Sequence, residues 1–172
     1  MNYLQSISLT KTLPCLAEPG KIIAVGKPDR SLDDVLPYLA TLPGVIAYNP
    51  GTCTLTFRRP RGFMTLFPDK VNITQINDAE EGVKLFDALV EAINTTWEHR
   101  AELVAVQKAR HRPQWLDIWA QLPQTNCTQC GEATCMAFSA ALLQGNRAIN
   151  ECIPLASDPT FNDRRETLEA MI

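Results

Sequence analysis

Histidine is scarce in this chain of 172 residues. There are two, His99 and His111, each beside a basic residue. A Gly-rich phosphate loop and a G-x-S-x-G string are both missing, so neither P-loop chemistry nor a serine hydrolase has a carrier here. No apolar run approaches the ~20 residues that cross a bilayer. The start, Met1-Asn2-Tyr3-Leu4-Gln5-Ser6, lacks the basic-then-apolar plan of a signal peptide, so a cytoplasmic protein is expected. A net charge of −3 gives no globally basic field, and no nucleic-acid partner is expected. Hydrophobic residues at 45% and charged residues at 20% exclude a disordered chain. Repeats and low-complexity tracts are absent. The length suits one compact domain, or one with a small appendage.

Charge is unevenly divided. Residues 1–112 hold 13 Lys+Arg against 12 Asp+Glu, and residues 113–172 hold 3 against 7. The change falls at Arg110-His111-Arg112-Pro113, where proline stops a helix whose last turn is basic. The domain boundary is placed there: an α+β domain over 1–112, a small cluster domain over 113–158, and a C-terminal tail over 159–172.

The front part reads as β-α-β-β-β-α, an antiparallel-rich sheet with helices on one face. Lys21 to Gly26 is a buried strand. Ser31 and Asp34 resemble a capping box for a helix carrying Val35, Leu36, Leu39 and Leu42. Pro37 must lie in its first turn, so its start is set near Asp33 or Asp34, and Gly44 ends it. Strands follow at Val45–Tyr48, Thr52–Phe57 and Phe63–Phe67, with Val71–Ile76 as an optional fourth of the set. In the second of these, Cys53, Leu55 and Phe57 alternate with Thr52, Thr54 and Thr56, a half-buried pattern. Asp78 and Glu81 open a long helix. Its stripe is Val83, Phe86, Leu89, Val90, Ile93 and Trp97, and the pattern continues through Leu103 and Val106 toward Pro113.

Six cysteines carry the chemistry: Cys15, Cys53, Cys127, Cys130, Cys135 and Cys152. In a reducing compartment a clustered set is metal-binding or catalytic more often than disulfide-forming. Cys127-x2-Cys130-x4-Cys135-x16-Cys152 puts three thiols on one loop and returns a fourth from a distance, as when one chain wraps a four-iron cube. Gly131 supplies the freedom a tight loop needs. Thr134 is an N-cap, so Cys135 sits at a helix N-terminus, where N–H groups and the dipole favour an anion. A four-thiolate cube is a dianion when oxidised and a trianion after one electron. Asp117, Glu132 and Glu151 would then lower its potential, while N–H···S bonds would raise it. Zinc is the alternative, although structural zinc sites favour paired C-x2–4-C knuckles.

Residues Leu122 to Phe138 (LPQTNCTQCGEATCMAF) resemble the four-cysteine 4Fe–4S domain of two families. One is the large subunit of corrinoid/iron–sulfur proteins (the gamma subunit of acetyl-CoA decarbonylase/synthase); the other is the B subunit of Rnf-type electron-transport complexes. The similarity extends to Trp115-Leu116-Asp117-Ile118-Trp119, and to Leu142, Gly145, Cys152, Pro154 and Leu155. Thr128 and Ala133 stand where the family often has Gly and Pro, and Ile153 separates Cys152 from Pro154. The resemblance implies a 4Fe–4S cluster, a metal cofactor held by Cys127, Cys130, Cys135 and Cys152. It says nothing about residues 1–112.

Cys53 and Cys15 read as small buried residues first and as a redox pair second. Arg58, Arg59 and Arg61, with Lys108, Arg110 and Arg112, read as solvated charges before a docking patch. Trp115 and Trp119, four apart on one helix, are expected to shield the cluster. The function these readings support is one-electron transfer in anaerobic metabolism, without side-chain catalysis, to a redox protein partner such as a corrinoid protein. The alternative is a regulatory or structural module in which the cluster, or zinc, senses oxidant or staples the fold. A third option, an enzyme fed by the cluster, lacks the His, paired carboxylates or phosphate loop it would need.

Overall fold

The computed structural model describes residues 1–16, 18–111 and 113–172. It divides into two compact units, Met1–Arg110 and His111–Ile172. The first is mixed α+β and the second is helical.

The strands of the first unit are β1 (Ile7–Pro14), β2 (Ile22–Pro28), β3 (Val45–Asn49), β4 (Thr54–Arg58), β5 (Phe63–Leu66) and β6 (Val71–Ile76). They form an antiparallel sheet in the order β1-β2-β6-β5-β4-β3, and a two-residue strand, β7 (Arg110–His111), extends it beyond β3. Two helices, α1 (Leu36–Leu39) and α2 (Ala79–Glu98), lie on one face. Their Leu36, Leu39, Phe86, Leu89 and Ile93 close a core with Ala24, Tyr48, Leu55, Leu66, Val71 and Ile73 from alternate strand positions. Alternate positions share a face because the strand period is two, so one sheet face supplies this whole core.

Bulges keep the pattern in phase. Between Ile73 and Ile76 strand β6 carries one residue more than β2 opposite it. Gln75 takes φ +57, which returns Ile76 to the core face. A second irregularity lies between Leu9 and Lys11 of β1, where Thr10 Oγ1 donates to Val25 O at 2.9 Å.

Several expectations need correction. Strand β1 was not among the predicted elements. The Ser31/Asp34 capping box does not form: Ser31 Oγ donates to Asp33 at 2.7 Å, and α1 begins only at Leu36, with Pro37 in its first turn. Thr54 and Thr56 are buried, not on a wet face, and Thr56 and Thr65 hydroxyls pair at 3.3 Å across β4 and β5. Helix α2 is capped as predicted. Asp78 accepts the Glu81 N–H at 2.8 Å, and Glu81 reaches back to the Asn77 N–H at 2.7 Å. It stops at Glu98, well short of Pro113, and the chain turns so that the Val106 N–H donates to Pro37 O at 2.9 Å. Residues 108–110 therefore cap no helix, and Arg112 lies outside the described residues. Val83 is exposed, and Gly82 takes the sheet-facing place instead.

The second unit holds α3 (Trp115–Gln121), α4 (Cys135–Leu143), α5 (Ile153–Ser157) and α6 (Asn162–Met171) around Ile118, Leu122, Phe138, Leu142, Leu155 and Leu168. The residues read as a C-terminal tail are thus largely a packed helix. Its Arg164, 3% exposed, donates to Leu122 O at 3.0 Å and Ala120 O at 2.9 Å. These bonds satisfy carbonyls that the end of α3 leaves without intrahelical partners. Among the described residues no helix is long and apolar enough to cross a membrane.

Helix α2 approaches the sheet closely at Gly26, where an added Cβ would stand 2.6 Å from Phe86 Cζ and 2.7 Å from Ile7 Cγ2. Gly26→Ala is expected to cost about 2 kcal/mol by overpacking. Adding Phe86→Leu should recover part of that loss, as read from urea unfolding of the pair and each single variant.

Candidate metal centre

The three-cysteine loop starts where α3 ends. From Gln124 to Gly131 its backbone is repeatedly left-handed: Gln124 (φ +60), Asn126 (+49), Thr128 (+61) and Gly131 (+88). Such reversals among ordinary residues curl a chain tightly and recur in the backbone nests that cradle anions. Three of the four residues are not glycine, and Thr128 is β-branched, so the loop carries strain. Side chains hold it. Asn126 Oδ1 accepts the Cys135 N–H at 2.8 Å, tying the loop entry to the helix start, and the Gly131 N–H donates to Thr128 O at 3.0 Å.

Thr134 caps α4 as expected, its hydroxyl accepting the Ala137 N–H at 3.0 Å, and Cys135 is the first helical residue. The far end of α4 closes on Gly145 (φ +76). Its N–H donates to Leu142 O at 3.1 Å, and the Asn146 N–H donates to Ala141 O at 2.9 Å, a Schellman closure. That closure reverses the chain. A short 3-10 turn, Ile149–Glu151, then delivers Cys152 to the start of α5, where Pro154 suits the first turn.

Cys127, Cys130, Cys135 and Cys152 consequently line one cleft, together with Asn126, Glu132, Phe138 and Ile153. The first three are partly exposed, while Cys152 is 6% exposed and packs in the core of the unit. Burial pushes the Cys152 thiol above its ordinary value, the Leu155 N–H opposes that, and the other three cysteines push it further up. The four sulfurs therefore feel one another. Among the described residues no three His, Cys, Asp or Glu side chains converge on a single-ion position.

Of the carboxylates expected near the site, Glu132 lines the cleft, and Glu132 and Glu151 share Arg147. The Ala148 N–H, then Arg147, hold the Glu151 carboxyl below its usual range. Asp117 is buried and accepts the Gln114 N–H at 2.7 Å at the start of α3. Neither tryptophan lines the cleft. Trp115 borders a separate open depression with Met136, Ala137 and Ala140, so its expected shielding role is not seen.

Outside this centre, Cys15 packs with Leu13, Ile23 and Val25, while Cys53 packs against the main core of the first unit. The two belong to separate clusters. Cys53 sits in the turn before β4 with φ +51, not in the strand, and its thiol donates to Pro50 O at 3.6 Å. Arg59 donates to Thr74 O at 2.8 Å and faces Glu81, so it braces the sheet. Sequence reasoning missed Arg147 and Arg164. Only the four-residue step from Arg147 to Glu151 was a readable signal.

A helical unit with four thiols around one cleft has the donor set of a small metal-binding domain, and the comparisons narrow it. Residues 122–154 match the family model described as "Putative Fe-S cluster". The chain is 40% identical over 57 residues to acetyl-CoA decarbonylase/synthase complex subunit gamma 2 of Methanosarcina thermophila, covering 33% of this chain and 12% of that protein. It is 39% identical, with the same coverage, to the gamma subunit of Methanosarcina acetivorans. To the corrinoid/iron-sulfur protein large subunit of Moorella thermoacetica it is 42% identical over 55 residues, which is 32% of this chain and 11% of that one. The resemblance to these two subunits read from the sequence is borne out. The chain spans only about an eighth of the length of these relatives. No solved structure matches it.

Thr128 pays strain at φ +61 that glycine would not. Thr128→Gly is expected to raise the stability of the metal-free second unit by up to about 1 kcal/mol, less the gain in unfolded-chain entropy. Differential scanning calorimetry of the metal-free protein checks this; a lowered melting temperature would show that Thr128 is needed for its hydroxyl contact to Cys127 O.

Proposed function

We propose that Cys127, Cys130, Cys135 and Cys152 hold a 4Fe–4S cluster and that the protein passes single electrons to a redox partner. The observation that carries this reading is the meeting of all four cysteines, from two separate segments, in one cleft. Four thiols without histidine suit iron–sulfur or zinc. Structural zinc sites favour paired C-x2–4-C knuckles, which Cys127-x2-Cys130-x4-Cys135-x16-Cys152 does not form. The family match over 122–154 favours iron.

When bound, such a group supplies a one-electron couple. The chain supplies the rest. Cys152 and Phe138 give the cleft a dry inner wall, with Phe138 1% exposed. The low dielectric there strengthens every charge interaction at the site. On the outer side Ile153, which lines the cleft, is 48% exposed and offers an apolar contact that a partner protein can pack against. The relatives are named as subunits of a complex and as a corrinoid/iron-sulfur protein. By analogy the electron acceptor is a corrinoid protein, and the first unit is the adaptor that selects it. A boundary near residue 112 accommodates this division of labour, and α6 belongs to the cluster domain.

Protein purified without air is expected to contain about four iron and four sulfide per chain, and dithionite should produce an EPR signal. Near one zinc and no sulfide after anaerobic reconstitution would overturn the electron-transfer reading in favour of a zinc-stapled interaction module. Cys152→Ser should lose most of the iron, because Cys152 is the most buried of the four thiols and is the one supplied by the second segment.

A further inference from the structure

The four thiols reach the cleft on two pieces of chain. Cys127, Cys130 and Cys135 lie on the loop and the start of α4, while Cys152 follows the reversal beyond Gly145. One side chain joins the two pieces. Arg147 Nε donates to Glu132 Oε1 at 3.0 Å, between the second and third cysteines, and Nη1 donates to Glu151 Oε1 at 3.2 Å, immediately before the fourth. Glu151 is itself held, its other oxygen accepting the Ala148 N–H at 2.5 Å. The guanidinium also lies over Gly131. A Cβ there would stand 3.0 Å from Nη2, so the missing side chain is what lets the cation sit against the backbone next to Cys130.

We propose that Arg147 is a positioning residue, a latch that fixes the Cys152 segment against the three-cysteine loop and places a positive charge beside the thiolates. This rests on the cluster reading only for its electronic half. The geometry requires arginine, because a planar fork can address two carboxylates from two directions at once, which a lysine ammonium on a flexible stem does poorly. Without the cation, Glu132 and Glu151 are left facing each other and an anionic site. Like charges then push apart the two segments that must converge.

The test compares wild type with Arg147→Gln, Arg147→Lys, Glu132→Gln and the double variant Arg147→Gln/Glu132→Gln. In metal-free protein under argon, maleimide labelling of Cys152 is followed by mass spectrometry. Cys15, buried in the first unit, is the internal standard for that unit, and amide hydrogen exchange in α6, whose Leu168 is buried in the second, reports that the second unit stays folded. Arg147→Gln should label Cys152 at least fivefold faster, with Arg147→Lys in between. The double variant should be no worse than Arg147→Gln alone, as partners in one contact are not additive. Labelling within twofold of wild type, or additive effects, would overturn the latch.

In cluster-loaded protein, Arg147→Gln should release iron to a chelator severalfold faster and be severalfold harder to reduce, a tenfold change corresponding to 59 mV for one electron. Arg147→Lys should restore the potential more than the iron retention, since it keeps the charge and loses the fork. Wild-type protein that takes up no iron and sulfide would end the cluster reading, and the labelling result would still decide the latch.

Discussion

The meeting of the four cysteines depends on a chain reversal. Three thiols are local to one loop, and the fourth is separated from them by the whole of α4. That helix must therefore start and stop at defined residues. Thr134 fixes the start and Gly145 the stop, and each does so by satisfying backbone groups that a helix end leaves open. A helix one turn longer would carry Cys152 away from the cleft by about 5 Å. The hydrophobic core of the second unit supports the same reversal. Leu142 and Phe138 on α4 pack with Leu155 on α5 and Leu168 on α6, so the two cysteine-bearing pieces share one set of buried contacts.

Features held by short-range chemistry were legible in the sequence. Asp78 with Glu81, Thr134 before an apolar run, and Gly131 after a cysteine each involve residues within a turn of one another, and each is found where the spacing put it. The cysteine spacing likewise pointed to a cleft that the structure assembles. What escaped was set by distant parts of the chain. Leu103 and Val106 prolong the helical period of α2, yet the Val106 N–H bonds to Pro37 O and the segment runs extended. The alternation of Ile7 and Leu9 is broken by a bulge before Leu13, which hid β1. Helix α6 is polar enough to read as a tail because one of its buried residues is an arginine, whose bonds to Leu122 O and Ala120 O no local pattern announces.

The two units differ in how they use polarity. In the first, buried hydroxyls such as Thr56 and Thr65 pair along the sheet, and charge stays at the surface or braces a turn, as Arg59 does. In the second, arginines carry structure directly: Arg164 within the core and Arg147 at the rim of the cleft. Guanidinium suits both tasks because it remains charged and its donors diverge in a plane. An acidic unit with few cations has committed Arg147 and Arg164 to holding backbone or cysteine-bearing segments together.

The bulge in β1 also governs what the sheet does at its border. β1 is an outermost strand, and an outermost strand exposes a row of unpaired donors and acceptors that invites another chain to add on. Here that row is interrupted between Leu9 and Lys11, carries a lysine at its centre and ends on Pro14, which has no N–H to offer. The sheet border is thus a poor template for strand addition, and growth into edge-to-edge fibrils is blocked on that side by the same irregularity that keeps β1 in register with β2.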